Sequence, residues 1–136
     1  MGCIVSRVIG DVLVQVAEHA PDGRSFQLGR GFLVSQFPTT AEVLSSGKAS
    51  AVTLNDPDAD PAEAAVLRDL AVRGVLMLAL RDRTTAWGLV EVYRLDPAAF
   101  APDEIRRADQ IVRDAEARLQ VIIETRRRNG RLPPPG

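Results

Sequence analysis

Between Trp87 and Ile122 the spacing of apolar residues changes from two to three and four, and this switch limits the possible folds more than any other feature of the chain. Trp87, Leu89, Glu91 and Tyr93 alternate with Gly88, Val90 and Val92, the pattern of a β-strand with two distinct faces, and Leu95-Asp96-Pro97 ends the run. Ile105, Ala108, Val112, Ala115, Leu119 and Ile122 then fall at alternating steps of three and four, the spacing of a helical packing seam. Two conflicting periods cannot share one element, so a strand must hand over to a long helix near Phe100.

The same tests organise the residues upstream. Cys3 to Ile9 and Val12 to Glu18 are β-branched runs joined by Gly10-Asp11, a two-residue turn whose glycine supplies positive φ, so the chain opens as a hairpin. An apolar stretch from Gln27 to Gln36 leads to Phe37-Pro38-Thr39-Thr40-Ala41-Glu42, where Thr39 and Glu42 have capping-box spacing. The short helix predicted there ends at Gly47, and its Val43 and Leu44 face inward only if it lies on a sheet. Ala49 to Leu54 resumes a strand. Asp60 as N-cap, Pro61 at the first helical position and Glu63 near the positive helix end start a second helix, predicted to stop at Arg73-Gly74. Val75 to Leu80 reads as a strand buried on both faces, and the polar Arg81 to Thr85 turn pairs it antiparallel with the Trp87 strand. Arg126 to Gly130 and Pro133 to Pro135 read as an extended tail, giving one domain over residues 1–125 and a basic, proline-rich tail over 126–136.

Composition removes several function classes. A formal charge of −1 supplies no basic field for nucleic acid or an anionic membrane. Cys3 is the only cysteine, so no intramolecular disulfide or multi-thiolate zinc site can form, which fits a reducing, cytoplasmic setting. No apolar run approaches the roughly 20 residues that cross a bilayer, and a soluble chain is expected. Asp56-x-Asp58-x-Asp60 opens like a calcium loop, but Pro61 stands at the glycine position and Leu67 at the bidentate glutamate position, so no metal is predicted. Met1-Gly2-Cys3-Ile4-Val5-Ser6 fits the N-myristoylation pattern, yet the same residues read as a paired core strand that an acyl chain would crowd. The sole histidine, His19, has no nucleophile beside it in sequence, and no acid/base pair stands at informative spacing, which argues against an enzyme. Arg126 to Arg128 with Arg131 read as a solvated tail, and Trp87 and Tyr93 as core packing before ligand stacking.

The order of elements, with Phe37-Pro38-Thr39-Thr40, the acidic helix start from Asp56 to Glu63, Gly74 before the buried strand, Trp87-Gly88-Leu89-Val90-Glu91 and the Phe100 to Ile105 helix start, resembles a GAF domain over roughly residues 3 to 123. The resemblance implies an α+β fold of the GAF/PAS-like kind: a central antiparallel sheet of about five to six strands flanked by helices, with the long C-terminal helix on one side. It also implies a small-molecule pocket under the loops and short helices of the other side, and a sensory or regulatory role in signal transduction rather than catalysis. Placement puts Phe37, Val43, Leu67 and Met77 in that pocket. Two departures matter. The family usually begins with a helix that pairs with the terminal one, whereas this chain starts in a strand, so the expectation is either a fragment of a longer protein or a homodimer in which the Ile105, Ala108, Val112, Ala115, Leu119 and Ile122 seam meets its equivalent. Ala101 stands where the family has a helix-capping hydroxyl, with Pro102, Asp103 and Glu104 as electrostatic substitutes.

The cofactor is left unspecified. Ala71-Val72-Arg73-Gly74 lacks the histidine of haem-binding relatives, Cys3 sits in the first strand rather than where bilin-binding relatives carry a cysteine, and the cyclic-nucleotide signature is missing. Relatives that reduce methionine sulfoxide need more than one cysteine. A ligand-free dimerisation or protein-docking module is the alternative, with the output partner unknown.

Overall fold

In the computed structural model of the chain, which describes residues 1–23, 30–83 and 85–130, the opening β-branched runs pair as β1 (Gly2–Ile9) and β2 (Val12–His19) around Gly10-Asp11. β3 (Gly31–Leu33) adds to the outer edge of β2, and one 3₁₀ turn at Val34–Gln36 leads into α1 (Pro38–Ser46). β4 (Ser50–Thr53), α2 (Pro61–Asp69), β5 (Gly74–Asp82), β6 (Thr85–Arg94) and α3 (Pro102–Gly130) follow. The sheet runs β3-β2-β1-β6-β5-β4 with every neighbouring pair antiparallel, so the first and last strands meet at its centre. This is the expected α+β architecture, with six strands and three α-helices among the described residues. Of the expected Gln27 to Gln36 stretch, residues 27–29 lie outside the described residues, as do 131–136 of the tail.

β5 is buried on both faces from Gly74 to Leu80, as a continuous apolar run requires. Val75, Met77 and Ala79 join Ile4, Leu13, Val43, Leu67 and Leu89 beneath α1 and α2. Leu76, Leu78 and Leu80 face the other way, onto Phe100 and Val112 under α3. Each such side chain taken from water contributes roughly 1.5–3 kcal/mol, which makes this strand the keystone of both layers.

The strict alternation read for β6 breaks at its start. A bulge between Leu80 and Arg81 shifts the β5–β6 register, and Trp87 packs with Val90 and Val92 on the α3 side while Leu89, Glu91 and Tyr93 keep the α1/α2 side. Arg7 lies over the Trp87 ring at 4.5 Å. The backbone groups disturbed by the bulge are taken up by α3: the Arg81 N–H donates to Glu116 Oε1 at 2.8 Å, and Arg113 Nη2 donates to the Ala79 carbonyl at 3.0 Å. Next to the bulge, Gly88 lets β1 and β6 approach, for a Cβ there would stand 2.3 Å from the Ser6 carbonyl oxygen.

Helix ends follow local hydrogen bonding more than the sequence signals. Thr39 is not the cap of α1; Phe37 holds that position, and Thr39 donates its N–H and hydroxyl to Asp60 Oδ2, each at 3.1 Å. The other Asp60 oxygen accepts the Ala62 N–H at 3.0 Å, as its N-cap role in α2 predicts, so one carboxylate serves the starts of two helices. Gly47 closes α1 in the left-handed region. α2 stops at Asp69, short of the expected Arg73-Gly74, because Ala71 takes φ 55° and the N–H groups of Ala71 and Val72 return to Arg68 and Leu67 at 3.1 and 3.0 Å. That is a Schellman closure with alanine where glycine is usual. At Ala101, Glu104 Oε1 accepts the backbone N–H at 2.9 Å and so supplies one half of a capping box without the hydroxyl half. α3 continues through Gly130, so Arg126 to Gly130 are helical rather than extended.

Candidate functional site

Three inward positions of the central strands carry polar side chains where their neighbours are apolar. Ser6 follows Ile4 on β1, Gln15 follows Leu13 on β2, and Glu91 lies between Leu89 and Tyr93 on β6. Burying such groups costs free energy unless each is hydrogen-bonded, so their clustering on one patch of an apolar sheet marks a place built for something other than packing. The patch is the floor of a cavity. Its roof comes from Phe37 and Thr40 at the start of α1 and from Glu63 and Val66 of α2, and Phe32 of β3 stands at its side. The space amounts to about 30 Å³, room for roughly one or two waters. Phe32 and Phe37 meet edge to face at the rim, 5.8 Å between centroids.

Two carboxylates share this interior. Tyr93 Oη donates to Glu91 Oε2 at 2.8 Å, and Thr40 Oγ1 donates to Glu63 Oε1. Burial pushes the Glu91 carboxyl up to about 7, with the Tyr93 hydroxyl opposing and the charge of Glu63 adding to the rise. Glu63 is raised as well, chiefly by burial, against the pull of Thr40. The Tyr93 phenol is held well above its ordinary value by burial and then by the negative charge of Glu91. Among the described lining residues there is no lysine, arginine or histidine. Nowhere among the described residues do three or more His, Cys, Asp or Glu gather as a metal site. Asp56 accepts the Asp58 N–H at 2.9 Å in a local turn, and that occupies the start of the calcium-like spacing.

A second concavity lies across the sheet. Cys3, Leu78, Val90 and Val92 form the floor of a groove of about 530 Å³ against Ile111 and Val112 of α3, with Glu104 and Arg107 at its margin. The Cys3 thiol there is raised by burial and then by the Glu91 charge.

Of the side chains assigned to the pocket from sequence, Phe37 lines the cavity, while Val43, Leu67 and Met77 are enclosed in the adjoining core at 0, 1 and 0% exposure. Ser6, Gln15, Thr40, Glu63 and Glu91 were not assigned; the available signal was a polar residue in the inward phase of a strand. Of the helical seam, Val112 is buried against the chain's own sheet, with Ile105, Ala108 and Leu119 packed beside it. Ala115 and Ile122 point outward, near the exposed Ile111 and Val121. No helix among the described residues is long and apolar enough to cross a membrane.

The GAF domain family matches this sequence over residues 2–119. Among solved structures, the fold is similar to the GAF domain of PixJ from Thermosynechococcus elongatus in its blue-light absorbing form, with a TM-score of 0.80 and 18% identity over 96% of this chain and 80% of that one. It is similar to the GAF domain of a two-component sensor histidine kinase from Bacillus halodurans, with a TM-score of 0.71 and 17% identity over 96% and 86% of the two chains. A phycocyanobilin-bound GAF domain from a cyanobacterial phytochrome gives a TM-score of 0.75 and 18% identity over 88% and 74%. No curated protein matches the chain in sequence.

Proposed function

This chain belongs to the GAF domain family, and on that premise we propose that it is a non-catalytic sensory domain whose cavity under α1 and α2 holds a small molecule and whose α3 carries the signal to a second copy and an output partner. The observation that carries the reading is the polar floor of that cavity, set into an otherwise apolar sheet face and roofed by two short helices. Arg81 supports the transmission. Its guanidinium donates to the Leu44 and Ser45 carbonyls at the end of α1, at 3.5 and 3.2 Å, while its backbone N–H is held by Glu116 of α3. A shift of α1 as Phe37 and Thr40 close on a ligand therefore pulls on a residue that α3 also grips. Association through α3 uses its outward apolar residues Ile111, Val121 and Ile122, which are 69, 63 and 52% exposed.

The phycocyanobilin of the phytochrome relative is not carried over to this chain. Cys3 faces the groove under α3, on the side of the sheet away from the cavity. The second reading, a ligand-free docking or dimerisation module, is favoured by the apolar groove beside Ile111. Native mass spectrometry of protein purified without added ligand separates the two. A recurrent small-molecule adduct supports sensing, and a bare dimer supports docking.

A further inference from the structure

We infer that the cavity selects small organic cations, an ammonium or amidinium head on an apolar tail, and excludes anions; this rests on the ligand-sensing reading above. The walls hold two carboxylates, Glu63 at 4% exposure and the partly buried Glu91, and among the described residues no basic side chain lines the space. Each carboxylate is met by one neutral hydroxyl, Thr40 for Glu63 and Tyr93 for Glu91. An ionised carboxylate has about four acceptor sites, so both keep capacity for charged donors. A separate feature points the same way. Ser6, 2% exposed, borders the same cavity, and its hydroxyl oxygen adds acceptor sites to the wall. The unfilled capacity of the walls is thus dominated by acceptors, in surroundings where a like-charged ligand would be desolvated against two acids.

Size fixes the rest of the ligand class. About 30 Å³, the room of roughly one or two waters, matches an ammonium head and leaves a larger amidinium to displace the roof, and the Phe32–Phe37 edge-to-face pair at the rim offers aromatic surface to a tail, with ring faces that also favour a cation. A bound cation favours the ionised form of Glu91, the group closest to titrating at neutral pH, so binding releases a proton and tightens as pH rises through about 7. The titratable groups facing Glu91 are Tyr93 from its own strand and Glu63 from α2, with Cys3 on the opposite face of the sheet.

Isothermal titration with benzylamine and benzamidine, against benzyl alcohol and phenylacetate as neutral and anionic controls, tests this at pH 6 and pH 8. The cationic probes are expected to bind roughly tenfold or more tighter than the alcohol, the advantage of charge-assisted over neutral hydrogen bonds. Binding is expected to be tighter at pH 8, with proton release read from two buffers of different ionisation enthalpy. Glu63→Gln and Glu91→Gln should each weaken the cations by a similar factor, and a thermal melt of each variant confirms that it folds. The proton release of the unmodified chain provides the second readout if a variant does not. Phenylacetate or benzyl alcohol binding as tightly as benzylamine overturns the inference and leaves ligand sensing standing. Binding by none of the probes also overturns it, and the adduct in native mass spectra then decides the sensing reading on its own.

Discussion

Replacing Glu91 by glutamine should stabilise the fold at alkaline pH and not at acid pH. The carboxyl rises from 4.5 in the unfolded chain to about 7 in the folded one, mainly through burial, with Tyr93 opposing and Glu63 adding. Between those two values the folded chain keeps a proton that the unfolded chain has lost, so stability falls as pH climbs through this window and levels off above it. At about 1.4 kcal/mol per pH unit of separation, the full cost at pH 8 is ~3 kcal/mol. Glutamine carries no charge and keeps an oxygen for the Tyr93 hydroxyl, but its amide N–H groups need partners, at a cost of about 1 kcal/mol. The variant is therefore expected to gain about 2 kcal/mol at pH 8 and to be neutral or slightly weaker at pH 4. Urea unfolding of both proteins at the two pH values, with unchanged m, gives the double difference directly. Parallel pH profiles for the two proteins would refute the reasoning, because they would mean that Glu91 ionises in the fold as it does in water.

Three further outcomes follow from the packing. Gly88→Ala places a Cβ 2.3 Å from the Ser6 backbone oxygen, and chemical denaturation should show a loss of more than about 2 kcal/mol as β1 and β6 are forced apart. Asp60→Ala removes the α2 cap and both Thr39 bonds, and should cost roughly 2 kcal/mol, with Asp60→Asn recovering part; the carboxyl is lowered because three backbone amides and the Thr39 hydroxyl outweigh its burial, so the wild-type advantage fades as pH falls through that depressed value. Ile111→Asp with Ile122→Asp should leave the melting curve near wild type while lowering the solution mass measured by light scattering, whereas Val112→Asp, buried at 3% exposure, should lose roughly 3 kcal/mol or more.

The sequence was legible where a local rule and the tertiary environment agree. The Gly10-Asp11 hairpin, the Gly47 terminator, the Asp60-Pro61 helix start and the doubly buried β5 each follow from a few adjacent residues. The failures have long-range causes. Trp87 changed face because of a bulge whose free backbone groups are satisfied by Arg113 and Glu116, far along the chain. α2 ended early because Ala71 adopts a left-handed conformation that propensity assigns to glycine. Thr39 found Asp60 in place of its own Glu42. Val112 of the α3 seam is buried inside the chain, since a helix period records an apolar face and not its partner. For the site, Glu63 read as a dipole-favoured residue at a helix start and Glu91 as one step of an alternation. Only the fold brings them to one cavity, although an acid in the inward phase between Leu89 and Tyr93 was a visible warning.

The most direct measurement is a two-dimensional NMR titration of the labelled chain with benzylamine. Shift changes are expected at the amides of Ser6, Thr40, Glu63 and Glu91, extending to Arg81, whose backbone N–H is bound by α3. Changes confined to Cys3, Val92 and Ile111 would place the ligand in the groove under α3 and contradict a sensing cavity beneath α1 and α2.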